Sequence, residues 1–99
     1  MPLPEAEKTS DSDLGPKVEI YTSAWCGYCL RAKTLLDGKG VAYDEYDVTM
    51  GGPKRAEMLQ RAHGRTSVPQ IFIDGIHVGG SDELHALERT GKLDMMLGR

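Results

Sequence analysis

The chain has 99 residues, a formal net charge of −3 and 39% hydrophobic residues. That length supports one small domain with one core, and the acidic balance argues against a nucleic-acid surface or a polybasic membrane patch. No apolar run approaches the length needed to span a bilayer.

Residues 1–16, MPLPEAEKTSDSDLGP, are polar, proline-containing and aperiodic. They read as a disordered tail ahead of a domain at 17–99. The tail has no apolar h-region and no arginine, so it fits neither a secretory signal nor a transit peptide, and the expected location is the cytoplasm. KVEIYT (17–22) reads as a strand with Val18 and Ile20 on one face. A Cys-x-x-Cys pair follows at once, Cys26 and Cys29, the only cysteines in the chain. CLRAKTLLDGKG then reads as a helix stopped by Gly38 and Gly40. VAYDEYDV (41–48) is a second strand with imperfect alternation. GGPKRAEMLQRAHG reads as a helix with Pro53 in its first turn and a stripe of Met58, Leu59 and Ala62. PQIFI is a continuous apolar run, as expected of a strand buried on both faces. Asp74-Gly75 signals a hairpin into IHV. GGSDELHALERTG reads as a loop and a helix capped by Ser81 or Asp82, and KLDMMLGR adds a last helical turn.

The order βαβ, α, ββα predicts an α/β fold. The first two strands, joined by a helix, should be parallel and the last two antiparallel. The result is a four-stranded mixed sheet flanked by helices.

A cysteine pair between a strand and a helix has chemical consequences. Cys26 falls at the helix start, where unpaired N–H groups favour an anion, and the thiolate is the nucleophile in thiol–disulfide exchange. Cys29, three residues on, shares a helix face with it, about 5–6 Å away at Cβ. Small rotations bring the two to disulfide distance. Cys29 also lines up with Ala32 and Leu36, which makes it the sheltered partner of a more exposed Cys26. Two blander readings remain. A zinc site needs two further ligands, and His63, His77 and His85 form no tight pair in sequence. The cysteines could also be an inert core pair.

Four stretches, VEIYTSAWCGYC, RAKTLL, TSVPQIFIDG and VGGSDEL, occur in an order and spacing that resemble the glutaredoxin family, specifically its short bacterial dithiol members. The resemblance spans roughly Lys17 to Leu97. It implies a thioredoxin-like fold and glutathione as co-substrate, with no obligatory cofactor and no resident metal. Cys26 and Cys29 would be catalytic. Ser67-Val68-Pro69 matches the family's TVP, in which the proline is cis and the valine backbone pairs with the cysteinyl unit of glutathione. The Gly80-Ser81-Asp82 loop would receive the γ-glutamyl end: its carboxylate on the N–H groups of Ser81 and Asp82, its ammonium on the Asp82 side chain. Tyr28 would line the groove, and Lys54 or, as the better positional match, Arg55 would reach the glycine carboxylate. Implied partners are glutathione, glutathionylated or disulfide-containing proteins and, indirectly, an NADPH-dependent glutathione reductase. A monomer is expected, without nucleic-acid or membrane contacts. Some members of the family hold a [2Fe–2S] cluster between two protomers with two glutathiones, so a cluster carrier is the alternative function.

This chain departs from the family in three places. Ser23 stands where a lysine is common, SVP replaces TVP, and CGYC replaces CPYC. Trp25 and Gly27 give the site a thioredoxin look. The GGSD loop and the lack of thioredoxin's CGPC proline argue against a thioredoxin-like reductant fed by a flavoprotein.

Overall fold

A computed structural model describes residues 16–99; the segment expected to form a disordered tail lies, apart from Pro16, outside the described residues. The elements are β1 (Val18–Thr22), α1 (Gly27–Gly38), β2 (Asp44–Asp47), α2 (Pro53–Arg61), β3 (Gln70–Ile73), β4 (Ile76–Gly79), α3 (Ser81–Arg89) and α4 (Lys92–Met96). The strands form one sheet in the order β2-β1-β3-β4. β1 and β2 run parallel because α1 carries the chain back between them, while β1/β3 and β3/β4 are antiparallel. Among the described residues, no helix is long and apolar enough to cross a membrane.

Alternation along the central strands divides the core between the two sheet faces. Val18, Ile20, Ile71 and Ile73 meet Ala32 and Leu36 of α1, Leu84 of α3 and Leu93 of α4 on one face. Tyr21 and Phe72 meet Met58 of α2, Ala62 and Val48 on the other. β3 is buried along its whole length, as its continuous apolar run predicts. The β3–β4 turn places Asp74 and Gly75 at φ 53° and 80°. Two successive left-handed residues define the two-residue hairpin turn that Asp-Gly favours.

Two local expectations are corrected. β2 covers only Asp44–Asp47, not 41–48: Val41 and Tyr43 pack against the core from outside the strand. The residue capping α3 is Gly80, not Ser81 or Asp82, which are already helical. The Glu83 carboxylate folds back to accept the Gly80 N–H at 2.7 Å, the half of a capping box that needs no side chain on the cap residue.

Candidate active site

β1 delivers the chain to the end of the sheet, and α1 begins one turn later. Trp25 occupies the connection at φ 59°, with its ring fully exposed. The Thr49 hydroxyl accepts the Ala24 N–H at 2.7 Å, tying this connection to the loop after β2. Cys26 is the N-cap of α1, with extended backbone angles, and Gly27 is the first helical residue. The cap acceptor is a sulfur: Cys26 Sγ receives the Cys29 N–H at 3.1 Å. The same sulfur lies 3.8 Å from the Val68 carbonyl oxygen, to which a thiol donates. Cys26 is partly exposed and Cys29 is buried against the core, as the spacing predicts. Burial, followed by the contact with Cys26, pushes the Cys29 thiol up to about 12.

Val68 and Pro69 are joined by a cis peptide bond. Pro69 is buried, Val68 half-buried and Ser67 exposed. The start of α3 abuts this segment: a Cβ on Gly80 would lie 3.4 Å from the Pro69 carbonyl oxygen. The N–H groups of Ser81 and Asp82 fall among those that a helix start leaves unpaired. Ser81 is buried and Asp82 exposed. Cys26, Val68, Pro69 and Gly80 are thereby linked contact by contact.

Tyr28 is exposed beside Cys26. Lys54 and Arg55 differ in their surroundings. Lys54 pairs with Glu57 at 3.1 Å and lies 4.1 Å from the centre of the Tyr46 ring. Arg55 is half-buried in the first turn of α2 and has no ion pair among the described residues. On the opposite flank of Cys26, a groove of about 490 Å³ is walled in part by Thr22, Trp25, Lys33, Glu45 and Asp47. Lys33 pairs with Glu45 at 2.9 Å along it. Among the described residues, no group of three or more metal-binding side chains comes together.

Sequence reasoning missed two side-chain networks. Arg61 binds Glu19 at 2.9 Å and the Tyr21 hydroxyl at 2.8 Å, and Tyr21 donates to Glu57. Gln70 and His77 connect β4 to Ser67. The one available signal was polarity out of place: Glu19 inside β1 and Gln70 inside an apolar run.

Comparison with known proteins agrees with this geometry. The sequence profile described as Glutaredoxin matches residues 18–78. A glutaredoxin of Pseudomonas aeruginosa is 56% identical over 82 residues, 83% of this chain and 96% of the relative. Glutaredoxin 3 of Escherichia coli K12 is 54% identical over 80 residues, 81% and 95% of the two chains. The solution structure of a Brucella melitensis glutaredoxin superimposes with a TM-score of 0.71 at 50% identity, covering 84% of this chain and 91% of that one. A buckwheat glutaredoxin–glutathione complex does so with a TM-score of 0.75 at 32% identity, covering 97% and 86%. The fold is thioredoxin-like, and the cysteine pair at its helix start defines a thiol-redox protein. The chain belongs to the glutaredoxin family.

Proposed function

We propose that the protein is a glutathione-dependent thiol–disulfide oxidoreductase acting in the cytoplasm on glutathionylated and disulfide-containing proteins. The observation that carries this reading is the position of Cys26 Sγ between the Cys29 N–H and the Val68 carbonyl. A helix-start N–H favours a sulfur anion. The Val68 backbone beside that sulfur offers hydrogen-bonding groups to a peptide thiol.

In the monothiol route, the Cys26 thiolate attacks the glutathione sulfur of a protein–glutathione mixed disulfide. The Cys26–glutathione bond forms, and the protein thiolate leaves and takes up a proton. The thiolate of a second glutathione attacks the glutathione sulfur on Cys26, releasing oxidised glutathione and restoring the Cys26 thiolate. In the dithiol route, Cys26 attacks a protein disulfide. Cys29 gives up its proton and attacks Cys26 Sγ, releasing the reduced protein dithiol. Two glutathiones then reduce the Cys26–Cys29 bond. Glutaredoxins as a class sit near about −200 to −230 mV, which lets the glutathione pool reduce them.

The glutathione would lie along Ser67-Val68-Pro69, with its γ-glutamyl carboxylate on the Ser81 and Asp82 N–H groups beside Gly80 and its ammonium near Asp82. Tyr28 would flank the sulfur. Arg55, without an ion pair among the described residues where Lys54 is engaged, would meet the glycine carboxylate. The test is turnover of a small glutathione mixed disulfide, coupled through glutathione reductase to NADPH oxidation. Activity with a thioredoxin-reductase system and none with glutathione would overturn the reading.

Gly27 supports a second reading, a glutathione-ligated [2Fe–2S] carrier. A Cβ there would meet nothing within 4 Å, so the wall beside Cys26 is open. Each protomer would supply one thiolate, Cys26, and the remaining ligands would be glutathione sulfurs. Thiolates suit such clusters. Anaerobic reconstitution with iron, sulfide and glutathione would give a brown dimer; a colourless monomer would remove this reading.

A further inference from the structure

Gln70 opens β3, and its side chain is fully buried. Its amide nitrogen donates to the Ser67 carbonyl at 3.0 Å and to the Ser67 hydroxyl at 3.2 Å. Its amide oxygen lies 2.7 Å from His77 Nε2. A peptide carbonyl only accepts, so Ser67 dictates which end of the amide is nitrogen. The oxygen therefore faces His77, and His77 Nε2 carries the hydrogen.

The His77 ring is itself held in place. It stacks on Phe72 with centroids 4.9 Å apart and planes 22° apart. Phe72 in turn takes the Arg61 guanidinium 4.0 Å from its ring centre. His63 stands 6.1 Å from His77, centre to centre. A fixed ring on β4 thus fixes an amide on β3, and the amide fixes a carbonyl in the loop. The next carbonyl along that loop, Val68, is the one facing Cys26 Sγ. Among the described residues, the Ser67 carbonyl has no hydrogen-bond partner other than Gln70.

We propose that His77 and Gln70 are positioning residues that set the Ser67-Val68-Pro69 segment against Cys26. Neither touches the reacting sulfur. Both act through the placement of the Val68 backbone. The consequence for catalysis rests on the proposed use of that backbone by glutathione.

Three variants separate this role from mere core filling. Gln70→Glu keeps the size and still accepts from His77, but cannot donate to Ser67. His77→Phe keeps a ring against Phe72 and removes the N–H. His77→Gln returns a donor. In glutathione-coupled turnover, KM for the glutathionylated disulfide should rise about three- to tenfold in Gln70→Glu and His77→Phe, the range for one lost hydrogen bond. His77→Gln should recover part of the loss. Lowered thermal stability with KM unchanged would overturn the proposal. Two NMR measurements decide it without turnover. The ring nitrogens of wild-type His77 should show the Nε2–H form, and the Ser67 and Val68 amide signals should shift in His77→Phe. An Nδ1–H ring, or unmoved loop signals, would overturn the relay. A wild-type protein inactive with glutathione would overturn the functional reading alone.

Discussion

Cys29 donates its backbone N–H to the sulfur of Cys26 at 3.1 Å, so the peptide group of one cysteine caps the helix through the side chain of the other. Their thiols nevertheless face opposite conditions. Cys26 is partly exposed, while burial first and the neighbouring sulfur second push Cys29 up to about 12. Iodoacetamide at about neutral pH should therefore modify Cys26 and spare Cys29, because the thiolate is the reactive form. Mass spectrometry of proteolytic fragments checks this. After unfolding, both sulfurs should react. Modification of Cys29 first in the folded protein would contradict the burial argument.

The same asymmetry should separate the two proposed routes. Cys26→Ser should abolish all activity. Cys29→Ser should keep turnover of glutathionylated substrates and lose most reduction of protein disulfides, since nothing else would resolve the mixed disulfide. A Cys29→Ser protein inactive on both substrates would rule out the monothiol route.

Arg55 and Lys54 are neighbours in the first turn of α2, but among the described residues only Lys54 is engaged, by Glu57 and Tyr46. Arg55→Ala should raise KM for a glutathionylated substrate by about three- to tenfold, the worth of one charge-assisted hydrogen bond at a partly exposed site. Lys54→Ala should leave it near the wild-type value. The reverse order in steady-state kinetics would assign the glycine carboxylate to Lys54.

Arg61 joins α2 to β1. It pairs with Glu19, bonds the Tyr21 hydroxyl and stacks on Phe72. Glu19 is only 7% exposed, so removing its cation leaves a sheltered carboxylate. Arg61→Ala should cost about 2–3 kcal/mol in denaturant unfolding. Adding Glu19→Gln should restore part of that. Two independent, additive losses would show that the pair does not act as a unit.

His77 should give the protein a distinct sensitivity to mild acid. Burial, then Arg65 and His63, hold its pKa below the ordinary 6.5; Glu83 opposes them, and Arg61 adds to the lowering. The unfolded chain takes up this proton near 6.5, while the folded chain resists it. Just below that pH the unfolded state binds more protons, so stability falls as pH drops. The lowered carboxylates, Glu19, Glu57 and Glu83 among them, add their own losses only below 4.5. The denaturant midpoint of the wild type should therefore begin to fall near pH 6.5, and His77→Gln should flatten that first step. An equal slope in both proteins would assign it elsewhere.

Local rules carried the sequence a long way. The strand–Cys–x–x–Cys–helix junction, the Asp74-Gly75 turn and the buried PQIFI run follow from short-range chemistry, and the structure has all three. The sheltering of Cys29 followed from its register with Ala32 and Leu36. What stayed hidden depends on residues far apart in the chain. Arg61 and Glu19 are brought together only when α2 lies across β1, and His77 meets Gln70 only once the hairpin closes. The cap of α3 was missed for a different reason. Glycine has no capping side chain, Glu83 bonds the N–H of the cap residue instead, and Ser81 drew attention as the conventional cap. The cis bond at Pro69 was implied by the family alone, because the preference of an isolated Val-Pro pair does not select that isomer.

β2 is an outer strand of the sheet and carries Asp44, Glu45 and Asp47. An incoming strand from a second molecule would bring like charges face to face across the new ladder, a destabilising arrangement. Hydrogen bonding from Thr22 first, then Lys33, keeps Glu45 ionised into acid, and Thr49 does the same for Asp47. The open margin of the sheet thus has a built-in gatekeeper against runaway β-association. Protonating those carboxylates would remove the repulsion, so any association through this margin should be strongest in strongly acidic media.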